Sequence, residues 1–196
     1  QMCIRDSPMI DAIEVVCLEG WYDILKAYAE QFGIAKLKYV ISGGNSSQES
    51  IKIGLENLKN ICNDGDIIII HDGIRPMVDD NIITSCIETC ESNGNGVTAY
   101  PVYEQIFETK DGKTTDKYIP RESLRIVQTP QAYKYKEILD VYIEGFEKNI
   151  GIHGSSYANT LMTDMGKKLY FSAGSTKNIK ITTKDDIAIF KAMISF

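Results

Sequence analysis

The residues best suited to chemistry come directly after a run of four isoleucines at positions 67–70. These β-branched residues come after a cluster of turn formers, which predicts a short strand that is buried on both faces. His71, Asp72 and Arg75 stand just beyond the end of this strand. Because ligands bind outside the carboxyl ends of strands in open α/β sheets, a carboxylate and a guanidinium here predict a binding or catalytic site. The alternative is a turn in which Asp72 caps the next helix and Arg75 is exposed.

A second polar stretch, GGNSSQES at residues 43–50, comes after a short predicted strand. Ser46 and Glu49 have the spacing of a capping box, which predicts a helix from here to about residue 60. Two glycines before a helix N-terminus suit the close approach of a phosphate or a nucleotide. They fit a plain strand-to-helix turn equally well, since the chain has neither a GxGxxG nor a P-loop pattern at this point.

The elements that must position these residues alternate between strand and helix. The patterns predict strands at residues 10–17, 38–42, 67–70, 96–102, 168–172 and 178–182, and helices at 20–32, 46–60, 80–92, 135–146, 156–165 and 183–194. This alternation predicts an α/β fold, namely a Rossmann-like, mostly parallel sheet with helices on both faces.

Residues 103–125 interrupt the alternation with a polar stretch that turns at Asp111, Gly112 and Lys113. We interpret this stretch as a β-hairpin arm that projects from the domain. A hairpin of this kind buries little surface alone, so we expect it to pair with a second copy and form a homodimer.

Length and composition limit the class of protein. A chain of 196 residues with 43% hydrophobic residues suits one globular domain. The net charge of -6 disfavours a nucleic-acid-binding surface, and no apolar run has the length of a membrane-spanning helix. The five cysteines include no CxxC pair, which favours a reduced, cytoplasmic protein. Cys86 and Cys90 are four residues apart on a predicted helix, and we interpret them as core thiols rather than metal ligands.

Residues 1–7, QMCIRDS, show no periodicity that links them to the rest of the chain. They match the translation of CAG ATG TGT ATA AGA GAC AGN, a transposase end sequence used in DNA library preparation. Our hypothesis is that they are a sequencing scar, which leaves residues 8–196 as one domain. Recovery of the intact gene tests this, since QMCIRDS encoded in the genome at this position would contradict it.

Five short motifs occur in an order that resembles a known family. They are GGxxxxxS at residues 43–50, HDxxRP at 71–76, PRxxL at 120–124, TPQ at 129–131 and NIKxTxxD at 178–185. This order resembles the cytidylyltransferases that activate polyol phosphates, whose two main members act on 2-C-methyl-D-erythritol 4-phosphate and D-ribitol 5-phosphate. The resemblance implies transfer of CMP from CTP: an oxygen of the polyol phosphate attacks the α-phosphorus, diphosphate leaves, and Mg²⁺ helps to neutralise the phosphates. Such chemistry depends on positioning and positive charge rather than on a covalent nucleophile.

The resemblance also implies roles for individual residues. Lys180 matches a lysine beside the reacting phosphates, Arg75 would hold the acceptor or orient Asp72, and Asp72 lies between nucleotide and acceptor, where it can hold polyol hydroxyls or help to position the metal. Arg121, on the arm, matches an arginine that reaches the acceptor phosphate in the partner subunit. The resemblance places Gly44, Asn45, Ser50 and Gly73 at CTP and Ser155 at the acceptor, and it leaves the metal ligands open. Without the resemblance, Lys180 and Arg121 fit ordinary exposed residues.

The chain departs from the family in three places. The family's Gly-rich CTP loop precedes all five motifs, in a strand-loop-helix unit of roughly 30 residues or more, so we expect an N-terminally truncated and inactive fragment. Glu104 and Gln105 replace the usual Asp-Thr pair before the arm, and Ser155 and Ser156 replace a Thr-Asp pair at the acceptor. These last two changes favour ribitol 5-phosphate slightly as the acceptor.

Two other functions stay open from the sequence. One is a non-catalytic nucleotide-binding or dimerising remnant, which would bind CTP without turnover. The other is an HD-type metal phosphohydrolase, suggested by His71 and Asp72, although such a site needs further His or Asp ligands and His153 is the only other histidine.

Overall fold

The computed structural model describes residues 2–154 and 157–195. The strands are β1 (Ile13–Cys17), β2 (Leu37–Ser42), β3 (Ile67–Ile70), β4 (Asn95–Pro101), β5 (Ile106–Glu108), β6 (Lys117–Ile119), β7 (Arg125–Lys134) and β8 (Phe171–Ala173). The α-helices are α1 (Met2–Asp6), α2 (Tyr22–Gln31), α3 (Ser47–Asn57), α4 (Asp80–Asn93), α5 (Tyr135–Lys148), α6 (Ala158–Asp164) and α7 (Lys184–Ile194). Single 3₁₀ turns occupy Leu58–Asn60 and Arg121–Ser123.

The main sheet has four strands in the order β3-β7-β4-β8. β7 is antiparallel to both β3 and β4, whereas β8 is parallel to β4, so β3, β4 and β8 run in one direction. The predicted α/β class is confirmed, and the prediction of a mostly parallel sheet holds for the direction of these three strands. β7 runs the opposite way because the chain returns along it from the arm. β1 and β2 form a separate parallel pair.

The helices cover both faces of the main sheet, as predicted. One face packs against α3, α5 and α6 through a cluster that includes the fully buried Tyr133, Ile138 and Leu161. The other face packs against α4, whose apolar side chains form a second cluster. Along β3, Ile68 and Ile70 contact the first cluster and Ile67 and Ile69 the second, so side chains that alternate along one strand join both cores.

The ends of α4 are explained by its sequence. The Asp79 carboxylate accepts a hydrogen bond from the backbone N–H of Ile82 at 2.9 Å, which caps the first turn. Gly94 ends the helix with a φ of 92°, a left-handed conformation that favours glycine. Cys86 and Cys90 lie on the buried face, where their thiols donate to the carbonyls of Gly96 and Gly94. Both side chains are fully buried, which confirms them as core residues, and burial raises the pKa of both thiols, to about 11 for Cys90.

The predicted arm is a β-hairpin made of β5 and β6, with Ile106 paired to Ile119 and Glu108 to Lys117. Its turn is organised by Asp111, whose carboxylate accepts from the backbone N–H groups of Thr114 and Lys113 at 2.8 and 2.9 Å. These hydrogen bonds hold the pKa of Asp111 well below its usual range. Nearly all side chains of the hairpin are exposed.

One predicted strand is wrong. Residues 178–182 form no strand, because an isolated backbone hydrogen bond, from the N–H of Ile181 to the carbonyl of Ile74 at 2.9 Å, takes the place of a ladder. The helix after it, α7, begins where predicted: Thr183 accepts from the N–H of Asp186, and the Asp186 carboxylate accepts from the N–H of Thr183.

The helix predicted at residues 20–32, where apolar residues recur near helical spacing, is confirmed as α2. None of its side chains is buried, however, and Trp21, Tyr28 and Phe32 are each more than half exposed.

At the chain start, α1 lies against α4 through Ile4. The hypothesis that residues 1–7 are a sequencing scar stays a prediction. Across residues 2–154 and 157–195, the structure contains no helix with the length and apolar character needed to cross a membrane.

Candidate active site

Three charged side chains, one of them distant in sequence from the other two, meet at the end of β3. The Asp72 carboxylate oxygen Oδ2 lies 3.3 Å from Arg75 Nε and 3.2 Å from Lys180 Nζ. The side chains of Asp72, Arg75 and Lys180 are 27%, 11% and 29% exposed, so the cluster is partly shielded and still open to a ligand. The structure therefore brings together all three residues that the sequence predicted as catalytic. We call these three side chains the ion cluster.

The turn that carries Asp72 is fixed from several sides. The backbone N–H of Asp72 donates to the Thr129 hydroxyl at 3.0 Å, and the N–H of Arg75 donates to the Asp72 carbonyl at 3.0 Å. The His71 ring joins the same turn, with its Nε2 3.1 Å from the Arg75 carbonyl. Since a carbonyl can only accept, this nitrogen carries the proton and the ring's other nitrogen is unprotonated in the neutral form. Burial lowers the pKa of His71, which keeps the ring neutral at physiological pH.

Lys180 is held by a carboxylate and an aromatic ring. In addition to its contact with Asp72, its ammonium lies 5.3 Å from the centre of the Tyr157 ring. Tyr157 is 44% exposed, so the ring is accessible to a bound molecule. No sequence pattern marked this residue, because a lone tyrosine after a polar stretch resembles any surface aromatic.

The glycine loop before α3 is shaped mainly by its own helix. The Ser50 hydroxyl accepts from the N–H of Gly44 at 3.1 Å and donates to the Ser46 carbonyl at 2.9 Å. A Cβ atom at Gly44 would lie 2.4 Å from the Glu49 Cβ, so glycine is required here by packing within the protein. Asn45 is exposed at the tip, with its backbone N–H bound to the Glu49 carboxylate at 2.6 Å.

Gln48 connects this loop to the ion cluster. Its side chain is only 2% exposed, and its amide nitrogen donates to the carbonyls of Gly151 and Tyr157 at 2.8 and 3.3 Å. The Tyr142 hydroxyl donates to its amide oxygen at 2.7 Å. The first turn of α3 therefore fixes both the glycine loop and the backbone of the residue whose ring contacts Lys180.

The remaining predicted residues lie in different surroundings. Gly73 is exposed beside Asp72, and a Cβ atom there would meet no protein atom within 4 Å, which leaves room for a ligand. Arg121 lies at the base of the arm, where it donates to the Tyr103 carbonyl at 3.0 Å and lies 3.5 Å from Glu122. No contact joins it to the ion cluster within this chain's described part. Ser155 falls outside the described residues.

Three residues that hold the ion cluster had no assigned role in the sequence analysis: Thr129, Tyr157 and Asn178. Thr129 and Asn178 belong to the TPQ and NIK motifs, so the motifs were visible but the hydrogen bonds were not. Asn178 offers its carbonyl to Arg75 Nη1 at 2.9 Å, which joins the segment before Lys180 to the turn after β3.

No group of three or more His, Cys, Asp or Glu side chains that could bind a metal occurs within residues 2–154 and 157–195. Asp72 is the carboxylate of the ion cluster, and its neighbours are cations. His153 instead pairs with Asn149 Oδ1 at 2.8 Å. This donor set does not favour a metal phosphohydrolase, whose ions need several protein ligands.

The same fold occurs in a solved structure. The structure of 4-diphosphocytidyl-2C-methyl-D-erythritol synthase from Anaerococcus prevotii superposes with a TM-score of 0.86 at 23% sequence identity, over 100% of this chain and 83% of that one. At this identity the similarity establishes the fold. The ion cluster adds positive charge around one carboxylate, an arrangement suited to binding phosphate groups.

The chain belongs to the IspD cytidylyltransferase family. The family model described as IspD, 2-C-methyl-D-erythritol 4-phosphate cytidylyltransferase, matches residues 2–195. The resemblance drawn from the five motifs is thereby confirmed, and the protein belongs to a class of enzymes that transfer CMP from CTP to a polyol phosphate.

Curated relatives of both acceptor types match this chain. Ribitol-5-phosphate cytidylyltransferase of Lacticaseibacillus paracasei is 51% identical over 187 residues, which cover 95% of this chain and 80% of the relative. 2-C-methyl-D-erythritol 4-phosphate cytidylyltransferase of Clostridium acetobutylicum is 33% identical over 183 residues, which cover 92% and 76% respectively.

Proposed function

We propose that this cytidylyltransferase uses D-ribitol 5-phosphate as its acceptor and forms CDP-ribitol and diphosphate. The observation that carries the proposal is the difference in identity: 51% to a relative named for ribitol 5-phosphate against 33% to one named for methylerythritol phosphate. Two features of the sequence agree with it, namely Glu104 and Gln105 before the arm and the serine at position 155, where the family usually has other residues.

The ion cluster supports a division of roles during CMP transfer. Lys180 supplies a preorganised positive charge that can stabilise charge that develops on the α-phosphate. Asp72 and the Tyr157 ring hold that ammonium in place before substrate arrives. Arg75 is the least exposed of the three and is bound to Asp72 and to the Asn178 carbonyl, so it orients Asp72.

Four residues are proposed to serve CTP binding, two by contact with the nucleotide and two by shaping the loop: Gly44, Asn45, Ser50 and Gly73. Asn45 and Gly73 are exposed and open to the nucleotide, whereas Ser50 acts through the loop, because its hydroxyl already bonds Gly44 and Ser46. Gly44 likewise shapes the loop through its tight contact with Glu49.

Magnesium fits this site only with help from the substrate. Mg²⁺ is commonly bound through one or two carboxylates together with substrate phosphates, and Asp72 provides one such carboxylate. Bound in this way, the ion would neutralise negative charge on the triphosphate. Lys180 and Arg75 provide protein charge at the same place, so the site does not depend on a preformed metal cage.

We further propose that the protein is a homodimer in which the arm of one subunit brings Arg121 to the acceptor phosphate of the other. Tyr103, Phe107 and Tyr118 on the arm are all more than half exposed, which is apolar area that a partner could cover. Phosphate binding by arginine is a strong charge-assisted interaction.

We also propose that the protein is cytoplasmic, because Cys17, Cys62, Cys86 and Cys90 are free thiols.

A substrate panel tests the acceptor. The product of the intact gene is supplied with CTP, Mg²⁺ and either D-ribitol 5-phosphate or 2-C-methyl-D-erythritol 4-phosphate, and diphosphate release is measured. We expect kcat/KM to be at least about 100-fold higher with ribitol 5-phosphate, because one extra or missing methylene group alone discriminates by about 10- to 200-fold. A reaction without acceptor controls for CTP hydrolysis. A higher kcat/KM for the methylerythritol phosphate would contradict the proposal.

A further inference from the structure

The segment that carries Lys180 is not held by a strand. Its backbone makes local bonds, from Asn178 N–H to Ser175 and from Ile179 N–H to Lys177, and one bond outward from Ile181 to Ile74. A catalytic ammonium must nevertheless be placed within a fraction of an ångström to act on a transferring phosphate. Side chains must therefore supply the positional restraint that a β-ladder would otherwise give.

A buried pair of amides supplies this restraint. Asn178 is fully buried, and its side-chain nitrogen donates to the Thr129 carbonyl at 2.9 Å and to Gln128 Oε1 at 3.4 Å. Its backbone carbonyl accepts from Gln128 Nε2 at 2.9 Å and from Arg75 Nη1 at 2.9 Å. The residue is thus tied to β7 by its side chain and its backbone, two positions before Lys180.

Gln128 holds the same segment at a second point. Its side chain is 4% exposed, and its amide nitrogen also donates to the Ser175 carbonyl at 2.9 Å, while its amide oxygen accepts from the N–H of Ser175 at 3.3 Å. Because an unpaired buried amide is costly, these bonds favour a single arrangement of the segment.

The next residue on β7 holds the other half of the ion cluster. The Thr129 hydroxyl accepts from the backbone N–H of Asp72, so adjacent residues of one strand fix Asp72 and the Lys180 segment. β7 pairs with both β3 and β4 from Gln131 onward and with β4 again up to Val127, so Gln128 and Thr129 lie in the irregular part of β7 between two paired stretches.

We propose that Gln128 and Asn178 are positioning residues for CMP transfer, which set the place of the Lys180 ammonium relative to Asp72. This inference rests on the catalytic role proposed above for Lys180. The two amides affect the rate by positioning Lys180, and they do not contact the substrate themselves. A misplacement of about 1 Å can lower a rate about 100-fold, so the expected effect is large enough to measure.

The test is a double-mutant cycle with Lys180→Ala in the product of the intact gene. Asn178→Ala removes a buried amide with its two hydrogen bonds, and Gln128→Glu keeps the shape of the side chain but removes its donor to two carbonyls. Each is made alone and together with Lys180→Ala, folding is checked by circular dichroism, and kcat is measured with both substrates saturating.

We expect each single variant to lower kcat by about 10-fold or more, whereas in the Lys180→Ala background the same change alters kcat by less than about threefold, because coupled residues are not additive. Asn95→Ala is the matched control. Asn95 is also a buried amide, with bonds to the Lys168 carbonyl and the Tyr170 N–H, but it lies in the contact between β4 and β8. It should lower stability and leave kcat nearly unchanged.

Two results would overturn the inference. The first is a folded Asn178→Ala or Gln128→Glu enzyme whose kcat is within about threefold of the parent's. A change of that size is smaller than the contribution of one useful contact. The second is an equal loss of kcat in the presence and absence of Lys180, which would indicate a general structural effect. If ribitol 5-phosphate proves a poor acceptor but the cycle is non-additive with methylerythritol phosphate, the acceptor proposal fails and this inference stands.

Discussion

The ion cluster and the arm both carry charged residues, but their surroundings differ. Asp72, Arg75 and Lys180 are partly buried and bonded to β7, to the segment before Lys180 and to one another. Nearly every side chain of the arm hairpin is exposed, and the Arg121 side chain bonds only to the nearby Tyr103 carbonyl and Glu122 in the described part of the chain.

This difference indicates which residues one subunit can position alone. Buried partners with fixed directions hold the ion cluster in a geometry suited to phosphate chemistry before any substrate binds. Arg121 has no such buried partners among the described residues, and we propose that a second subunit provides the surface for its contact with the acceptor phosphate. Catalytic rate should therefore depend on the ion cluster, and acceptor affinity should depend on the arm.

Lys180→Ala should have the largest effect. Loss of one preorganised charge at a transferring phosphate is typically worth about 100- to 1,000-fold in kcat. Steady-state kinetics with CTP and the polyol phosphate measure this. Lys177→Ala is the control, since Lys177 is an exposed lysine three residues earlier. Equal kcat values for the two variants would remove Lys180 from the mechanism.

Asp72→Asn should have the next largest effect. The amide keeps the volume of the side chain but loses the negative charge that accepts from Lys180 and Arg75. Charge-assisted hydrogen bonds contribute about 1.5–3 kcal/mol each, so we expect kcat to fall about 10- to 100-fold. Circular dichroism should show an unchanged fold. A variant with parental kcat would mean that Asp72 serves only to shape its turn.

Arg121→Ala should act on binding instead of rate. We expect the KM for the polyol phosphate to rise about 10-fold or more, while the KM for CTP and kcat change little, because one phosphate contact is lost. Arg125→Ala is a matched control, since Arg125 is also exposed and its side chain bonds only the carbonyls of Glu122 and Leu124 in the described structure. A rise in the KM for CTP of the same size would contradict this role.

The smallest effect should come from His71, next to the ion cluster. Burial lowers its pKa in the folded protein below the ordinary value of 6.5, so the unfolded chain binds the proton more readily. Stability should fall as the pH drops below about 6.5, by at most about 1.4 kcal/mol per pH unit for one group. Urea unfolding between pH values of about 7.5 and 5.5 should show a steeper loss for the parent than for His71→Gln. Parallel pH dependences in the two proteins would exclude His71 as the cause.

Local patterns in the sequence predicted much of the fold because they encode local structure. The four isoleucines specified β3, Ser46 and Glu49 specified the start of α3, and the pattern at residues 80–92 specified α4. The strand predicted at residues 178–182 failed because a β-branched, alternating pattern cannot show whether a partner strand is available. The pattern at 20–32 predicted the helix, but amphipathicity cannot show what, if anything, covers its apolar face.

The sequence predicted the charged residues of the site but not the residues that hold them in place. Asp72, Arg75 and Lys180 stood out because charged residues inside recognisable motifs mark a functional segment. Gln128, Asn178 and Gln48 are neutral amides whose importance depends on partners as far as 109 positions away in the chain. Only the three-dimensional structure reveals such long-range hydrogen bonds.

Subunit complementation tests the difference between the ion cluster and the arm most directly. Lys180→Ala and Arg121→Ala chains are mixed in equal amounts, allowed to exchange subunits, and assayed with the polyol phosphate well below the KM of the Arg121→Ala enzyme. If Arg121 acts on the partner's site, each mixed dimer has one site with both residues intact, and activity should recover to about a quarter of the parent's. If the mixture is no more active than the average of the two variants, Arg121 acts within its own subunit or not at all, and the proposed role of the arm is wrong.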